Sequence, residues 1–428
     1  MKVAVVLFTR DLRVHDNPAL SAAARAAEHV VPLFVHDPAL PAGRNRRWFL
    51  DESLTDLKES LRRLGADLVE LRGDPVHEAV RVAKAVGAEG LGLARDVSSL
   101  ARDRERRLEQ ACADERIALR TFPGVTIVPP DAVRPGGGDH YKVFTPYWRA
   151  WQSRKPRDVE GAPRRLRLPK VLPRSWFRDR KVHPDAAGGE TAARNRLTGW
   201  LRHLEVYDQF HDDLAADRTS RLSPYLHFGC LSPRELAARV EGRAGAEPFI
   251  RQLCWRDFYH QVLLAFPGLR REKYRAGAAD TWRDEAGAFQ AWQEGHTGIP
   301  IVDAGMRQLR SEGWMHNRAR LITASYLTKH LRADWRLGGD HFFDLLLDGD
   351  VANNYGNWQW VAGTGNDTRP YRRFNPVRQA ERFDPQGDYV RRYVPELADL
   401  EGGAVHTPWK LPEARRRRLR YPAPLAMP

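Results

Sequence analysis

The chain reads as an α/β domain followed by an all-α domain, the first a doubly wound, Rossmann-like parallel sheet. Three observations predict this. Short apolar runs of strand length alternate with helical stretches over residues 1–128. Prolines and basic residues then crowd residues 129–190. From 191 to 428 the apolar spacing is helical, with no alternating segments.

Each element follows in order. VAVVLF (3–8), VVPLFV (30–35), LVEL (68–71), LGLA (91–94) and IALRTF (117–122) read as strands. PALSAAARAAE, RWFLDESLTDLKESLRRLG, VHEAVRVAKAVG and LARDRERRLEQACADE read as the helices between them. Such alternation builds βαβ units, whose ligands bind at the carboxyl ends of the strands. No GxGxxG follows the first strand, so a dinucleotide site of the Rossmann type is not supported. The next stretch, with QSRKPRDVEGAPRRLRLPKVLPRS, reads as a connection over the surface. ARNRLTGWLRHL, IRQLCWRDFYHQVLLAF, RARLITASYLTKHL and HFFDLLLD are helices of the second domain. No internal repeat is found.

Bulk properties bound the function. With 428 residues, 42% hydrophobic and 29% charged, the chain is globular and long enough for two cores. No apolar run approaches the roughly 20 residues of a membrane span, and MKVAVVLFTRDL reads as a first strand, not a signal peptide. Three scattered cysteines suggest neither a metal site nor a disulfide framework, so a cytoplasmic protein without metal is expected. The formal charge of +14 suits a polyanionic partner, although arginine-rich usage has other causes. The RRRR run at 415–418 reads as a solvated tail.

Four stretches carry chemistry. In TSRLSPYLHFGCLSPREL, Thr219, Ser220 and Ser223 cluster with Arg221 where a helix would begin, with Pro224 in its first turn. That is either a phosphate cradle or plain capping. In FIRQLCWRDFYH, Gln252 and Trp255 share a helical face, fit for a flat hydrogen-bonding base or for a core edge. In GWMHNRAR, Asn317 and Arg320 lie a turn apart. A buried arginine needs an acid, and Asp348 and Asp350 of DGDVANNYGNWQW are the nearest attractive candidates.

Together with FTRDLRVHDNPAL, AWQEGHTGIPIVDAGMRQL and FNP at 374–376, these motifs resemble the photolyase/cryptochrome family, most closely DNA photolyases of the class I cyclobutane pyrimidine dimer type. They run in family order over nearly the whole chain. The resemblance implies an antenna-chromophore domain (1–128), an interdomain linker (129–190) and a helical FAD-binding catalytic domain (191–428). It implies that reduced, anionic FAD gives one electron, on blue-light excitation, to a flipped-out cyclobutane dimer in UV-damaged DNA, which then splits. A monomer without membrane attachment is expected.

Residue by residue, the resemblance puts Tyr207, Thr219, Ser220, Arg221, Leu222 and Ser223 at the FAD pyrophosphate and ribose, with Arg256 also on the cofactor. Arg320 and Asp348 match an ion pair flanking the isoalloxazine, Asp350 a carboxylate near its polar edge, and Asn354 the residue facing flavin N5. Trp255 and Trp360 match the indoles that sandwich the lesion; Gln252, Asn317 and Arg318 match residues contacting it. Trp358, Trp335 and Trp282 match an electron relay to the surface. Arg46 and Asp96 align with residues that bind 8-hydroxy-5-deazaflavin. Ser98–Ser99 stands where folate-binding relatives carry Asn-Glu, which disfavours 5,10-methenyltetrahydrofolate; an empty antenna site is the other alternative.

There are departures. Gln252 replaces a common Glu, Leu321 a common Met, and His211 a common Arg. His316–Asn317 replaces the His-His of (6-4) photolyases, which favours cyclobutane dimers. A blue-light photoreceptor of the cryptochrome type and a (6-4) photolyase are the alternatives. The tail after the matched region is short, which counts against signalling.

Overall fold

The computed structural model describes residues 1–40, 43–175, 187–283, 286–366, 368–369 and 371–427. Part of the expected linker, 176–186, lies outside them. By packing, the chain forms two compact units: Met1–Glu205 with Ser220–Ala265, and Val206–Thr219 with Phe266–Pro428. Composition changes at 128 and 190, whereas packing places 191–205 and 220–265 with the sheet.

The first unit is built on five parallel strands: β1 (Val3–Phe8), β2 (His29–His36), β3 (Val69–Arg72), β4 (Gly90–Ala94) and β5 (Ala118–Phe122). Their order is β3-β2-β1-β4-β5, so the winding reverses beside β1. β1 is buried along its whole length while β5, at the edge, is half-exposed. The helices α1 (Pro18–Ala26), α2 (Arg44–Arg63), α3 (Pro75–Ala85) and α4 (Ser99–Asp114) fall between the strands as their apolar spacing predicts. Asn17, Asp74 and Ser98 cap α1, α3 and α4 through their side chains.

Beyond the sheet come α5 (Phe144–Gln152) and α6 (Glu190–Trp200). The short α7 (Tyr207–Phe210) belongs to the second unit. α8 (Ser223–Phe228), α9 (Pro233–Val240) and α10 (Ala246–Ala265) return to the first. The FTRDLRVHDN motif proves to be the anchor of α8. Arg10 Nε donates to the His227 carbonyl (3.1 Å), Leu12 N to that of Phe228 (3.3 Å) and Arg13 to that of Gly229 (3.0 Å). Gly229 has φ 71°, and a Cβ there would overlap the Arg10 carbonyl, so glycine is required.

The second unit is helical, with α11 (Ala286–Glu294), α12 (Pro300–Glu312), α13 (Asn317–Ser325), α14 (Trp335–Leu345), α15 (Val351–Ala362), α16 (Pro376–Phe383), α17 (Asp388–Tyr393) and α18 (Glu413–Leu419). A π-helical turn, Tyr326–His330, continues α13. α12 packs on α13, α16 and α17, and α15 on both α13 and α14. The RRRR run, expected as a tail, lies in the exposed helix α18, where Glu413 pairs with Arg417 four residues on. No described helix is long and apolar enough to cross a membrane.

Candidate functional site

The candidate residues fall in both units, and each set has its own geometry. In the second, α13 carries Arg320 toward the turn before α15. Its two terminal nitrogens donate to both oxygens of Asp348 (3.1 and 2.9 Å), and its Nε donates to the Met315 carbonyl (2.8 Å). All its nitrogens are thereby engaged, and the planar fork is fixed. Of the two acids expected as partners, Asp348 makes the pair. Asp350 instead caps α15, accepting from the backbone and side-chain nitrogens of Asn353 (both 2.8 Å).

One turn into α15, the Asn354 amide donates to the Gly339 carbonyl (2.9 Å). The amide nitrogen is therefore committed, and the oxygen remains as an acceptor without a partner among the described residues. Such an oxygen suits an N–H, as a reduced flavin presents at N5. Thr219 Oγ1 is buried without a hydrogen-bond partner among the described residues. Buried hydroxyls are rarely left unpaired, so this orphan also fits a bound polar group. Tyr207 is buried at the start of α7, its phenol pushed up by burial, with the His211 imidazole stacked on it at 5.1 Å. The site residues thus fit FAD.

In the first unit, α8 begins at Ser223 with Pro224 next, as expected. Arg221 holds φ 50°, a left-handed turn that reverses the chain before α8. Leu222, which precedes the helix, is buried and receives the Ser220 hydroxyl on its N–H (3.4 Å), while the Ser220 carbonyl accepts from Arg196 (2.8 Å).

On α10, Gln252 is exposed and Trp255 half-buried. The Trp255 ring lies flat on Phe144, 3.7 Å between centroids and 4° between planes, which covers one indole face. Arg256 donates to the Val125 and Leu226 carbonyls. Its neighbour Asp257 is wholly buried and accepts from Ile127 N, Val128 N and Trp151 Nε1 (3.0, 3.1 and 3.0 Å). Burial pushes its carboxyl up to about 6, against the nearby Arg256 and these hydrogen bonds.

The lesion-contact candidates of the second unit differ in freedom. Asn317 is exposed at the first turn of α13. Arg318 is held by Asp212, Nε to Oδ1 at 3.2 Å with a second contact alongside, and lies over Phe383 at 4.3 Å. His316 caps α13 by accepting from Arg318 N (3.1 Å). Burial pushes its imidazole down to about 4 and keeps it neutral, so the proton sits on Nε2, which is buried without a partner. Trp360 is half-buried, with Arg372 5.0 Å from its ring centroid and Phe374 at 6.3 Å.

Trp358, two residues earlier, points away and is almost wholly buried. Its ring meets Trp292 (6.0 Å) and Phe342 (4.9 Å) edge-on and rests on Gly338, where a Cβ would overlap it. Gly338 lies three residues along α14 from Trp335, so Trp358 and the fully buried Trp335 approach the same helix face. Trp282 is half-exposed and donates to Asp280 (2.7 Å). Of the three expected indoles, Trp358 and Trp335 are therefore buried and Trp282 is half-exposed.

Sequence reasoning missed Phe144, Asp212, Trp292 and Asp280. Each is paired by the fold to a residue distant in the chain or lies in a loop without periodicity. Only the i,i+2 spacing of Asp280 and Trp282 could have signalled one of them.

In the expected antenna region, Asp96 lies just beyond β4 and accepts from Arg10 (3.1 Å) and from Val97 N (2.6 Å). It lines a cavity of about 420 Å³ with Arg95, Pro123, Val125, Asp131 and His260. Arg46 is buried in the first turn of α2 and does not line that cavity.

Comparison with known proteins places this geometry. A family model described as "DNA photolyase" matches residues 4–165, and one described as "FAD binding domain of DNA photolyase" matches 249–427. A deoxyribodipyrimidine photo-lyase of Streptomyces griseus is 51% identical over 99% of this chain and 96% of its own length. A bacterial class III photolyase from Agrobacterium tumefaciens superposes with TM-score 0.93 at 36% identity, covering 100% of this chain and 94% of the other. A Synechocystis cryptochrome superposes with TM-score 0.90 at 31% identity, over 100% and 96%. The chain belongs to the DNA photolyase family, whose enzymes perform light-dependent DNA repair.

Proposed function

We propose that the chain is a deoxyribodipyrimidine photo-lyase that splits cyclobutane pyrimidine dimers in UV-damaged DNA. The observation that carries the reading is the clamped Arg320–Asp348 pair beside Asn354, whose amide is turned by Gly339 to leave an acceptor. Bound FAD, reduced and anionic in the active state, supplies the light-driven electron that opens the dimer. The residues do the rest. Arg320 and Asp348 orient the ring system, and Asp350 places a carboxylate at its polar edge. Asn354, its amide nitrogen held by Gly339, would offer its oxygen to the N5 N–H of a bound flavin and so favour the protonated, reduced form. Thr219 to Ser223 and Tyr207 would hold the phosphates and ribose, and Arg256 would also touch the cofactor. Trp255 and Trp360 each offer an indole face to the flipped bases, and Gln252, Asn317 and Arg318 meet their edges and backbone. Trp282, Trp335 and Trp358 would carry electrons inward to reduce resting flavin to its active form.

We read residues 1–128 as the antenna domain, 129–190 as linker and 191–428 as the catalytic domain. 8-Hydroxy-5-deazaflavin is the proposed antenna, at Arg46 and Asp96. The chain works as a cytoplasmic monomer. Its subclass is read as class I from the motif set, with class III, that of the Agrobacterium enzyme, as the competing reading.

The test is repair itself. Reduced protein under blue light restores thymines in UV-irradiated oligonucleotides. Repair of (6-4) products alone overturns the lesion reading. Flavin photoreduction without repair of either lesion favours a photoreceptor, the reading that the likeness to the Synechocystis cryptochrome supports.

A further inference from the structure

Asp280 and Arg336 form a bidentate ion pair, Nη1 to Oδ1 at 3.0 Å and Nη2 to Oδ2 at 2.9 Å. The pair touches two tryptophans with opposite signs. The carboxylate accepts the Trp282 N–H at 2.7 Å, whereas the guanidinium carbon stands 4.7 Å from the Trp335 ring centroid. Trp335 Nε1 is buried with no hydrogen-bond partner among the described residues. One indole therefore has an anion at its N–H, and the other has a cation on its face and nowhere to pass a proton.

Both charges are secure. Hydrogen bonding to Arg336 holds the Asp280 carboxyl below its usual range, and hydrogen bonding to Asp280 holds the Arg336 guanidinium above its own. Asp334 also binds Arg336 (3.1 and 3.2 Å), as does the Arg271 carbonyl (2.7 Å), and Lys273 lies near enough to favour the Asp280 anion. The Trp282 segment is tied to the approach to α14 by Arg283 N donating to the Arg332 carbonyl (2.8 Å). The side chains of Asp280 and Arg336 are only 26% and 21% exposed, so solvent screens them in part.

We propose that the Asp280–Arg336 pair drives the last step of the tryptophan path outward, making oxidised Trp335 costly and oxidised Trp282 cheap. This rests on the relay reading above. In that step one electron passes from Trp282 to oxidised Trp335. Trp335 is restored, Trp282 is left one electron short, and no bond breaks. A thiol in solution later refills Trp282. The charge separation outlives recombination because the missing electron lies where the field holds it, at the half-exposed end.

The experiment is flash spectroscopy of the oxidised holoenzyme, following the tryptophan radical signal. Asp280→Asn keeps the shape and removes the charge. The long-lived radical should fall on the order of tenfold, with steady-state photoreduction slowed in proportion. Asp280→Glu should restore both, which a purely structural role for the loop would not predict. Circular dichroism and thermal melting verify that the variants fold; if Asp280→Asn does not, Asp280→Ser removes the charge with less bulk. Trp282→Phe separates the layers of the argument. If it abolishes the long-lived radical while Asp280→Asn leaves the signal within twofold of native, the field proposal is overturned and the relay stands. If Trp282→Phe leaves the radical intact, the relay reading fails and the proposal with it.

Discussion

The expected flavin seat of α13–α15 and the expected antenna site differ in how far the fold binds their residues to each other. Arg320 meets Asp348 through two hydrogen bonds, and Asn354 is turned by Gly339 of the packed neighbour α14. Arg46 and Asp96 sit on separate elements, and one of them lines a cavity that the other does not. A site built from adjacent packed helices constrains itself, because moving one side chain uncovers a charge or an amide. A site whose residues lie at a helix start and a strand end is constrained mostly by what binds there. Losses in the first region should therefore appear in stability as well as cofactor content, and losses in the second in the ligand alone.

The largest expected effect is that of Arg320→Ala. It removes the bidentate cation paired with Asp348, whose side chain is only 7% exposed, at a cost of about 3 kcal/mol. The protein should purify with little FAD, read from flavin absorbance after gel filtration, and unfold at lower urea concentration. Full flavin content with unchanged stability would dissolve the contrast between the regions.

Gly338→Ala comes next. The added methyl would overlap Trp358 and the Leu327 side chain. Overpacking of this kind costs about 2 kcal/mol. Because the displaced ring is Trp358, photoreduction should slow together with the stability loss, while flavin content stays near native. Stability and photoreduction measured on one preparation show whether the two move together.

How much of this was legible in the sequence follows from distance along the chain. The strands and their helices were readable because each carries its own period, and the Arg320–Asp348 pair because its motifs are dense and local. The stack of Trp255 on Phe144 and the hold of Asp212 on Arg318 join segments more than a hundred residues apart, with no periodicity to announce them. The π-helical turn after α13 and the helical form of the RRRR segment were likewise settled by packing and local charge pairing rather than by apolar pattern. The domain boundaries followed composition, which marks where linkers run and not which helices pack together.

A pH series extends the comparison to two buried groups beside the proposed site. Asp257, pushed up to about 6, binds its proton more readily folded than unfolded. Its contribution to stability falls as pH rises from about 4 to about 6 and stays unfavourable above. His316, pushed down to about 4, behaves oppositely: its contribution is present above its ordinary value of 6.5 and is lost as pH falls toward 4. Relative to native protein, Asp257→Asn should gain about 2 kcal/mol on going from pH 4 to pH 7. Urea unfolding at the two pH values measures this. A constant difference between variant and native would mean that the fold does not raise the Asp257 pKa above its unfolded value.

The smallest effect on the fold, and the sharpest for the contrast, is expected of Asp96→Asn. The amide oxygen can still accept from Val97 N, so the turn after β4 keeps its cap, while the charge pairing with Arg10 and the attraction to Arg104 weaken. Stability should fall by about 1 kcal/mol, less than in Arg320→Ala, because the amide keeps the hydrogen-bond acceptors and only one charge of a largely buried pair is lost. Flavin content should not change. What should disappear is the extra absorption band that the protein acquires when supplied with 8-hydroxy-5-deazaflavin. Asp96→Asn with the band intact would remove Asp96 from the antenna site. Asp96→Asn that instead sheds FAD would show that the end of β4 is bound to the flavin seat as firmly as Arg320 is, and the difference between the two regions would no longer hold.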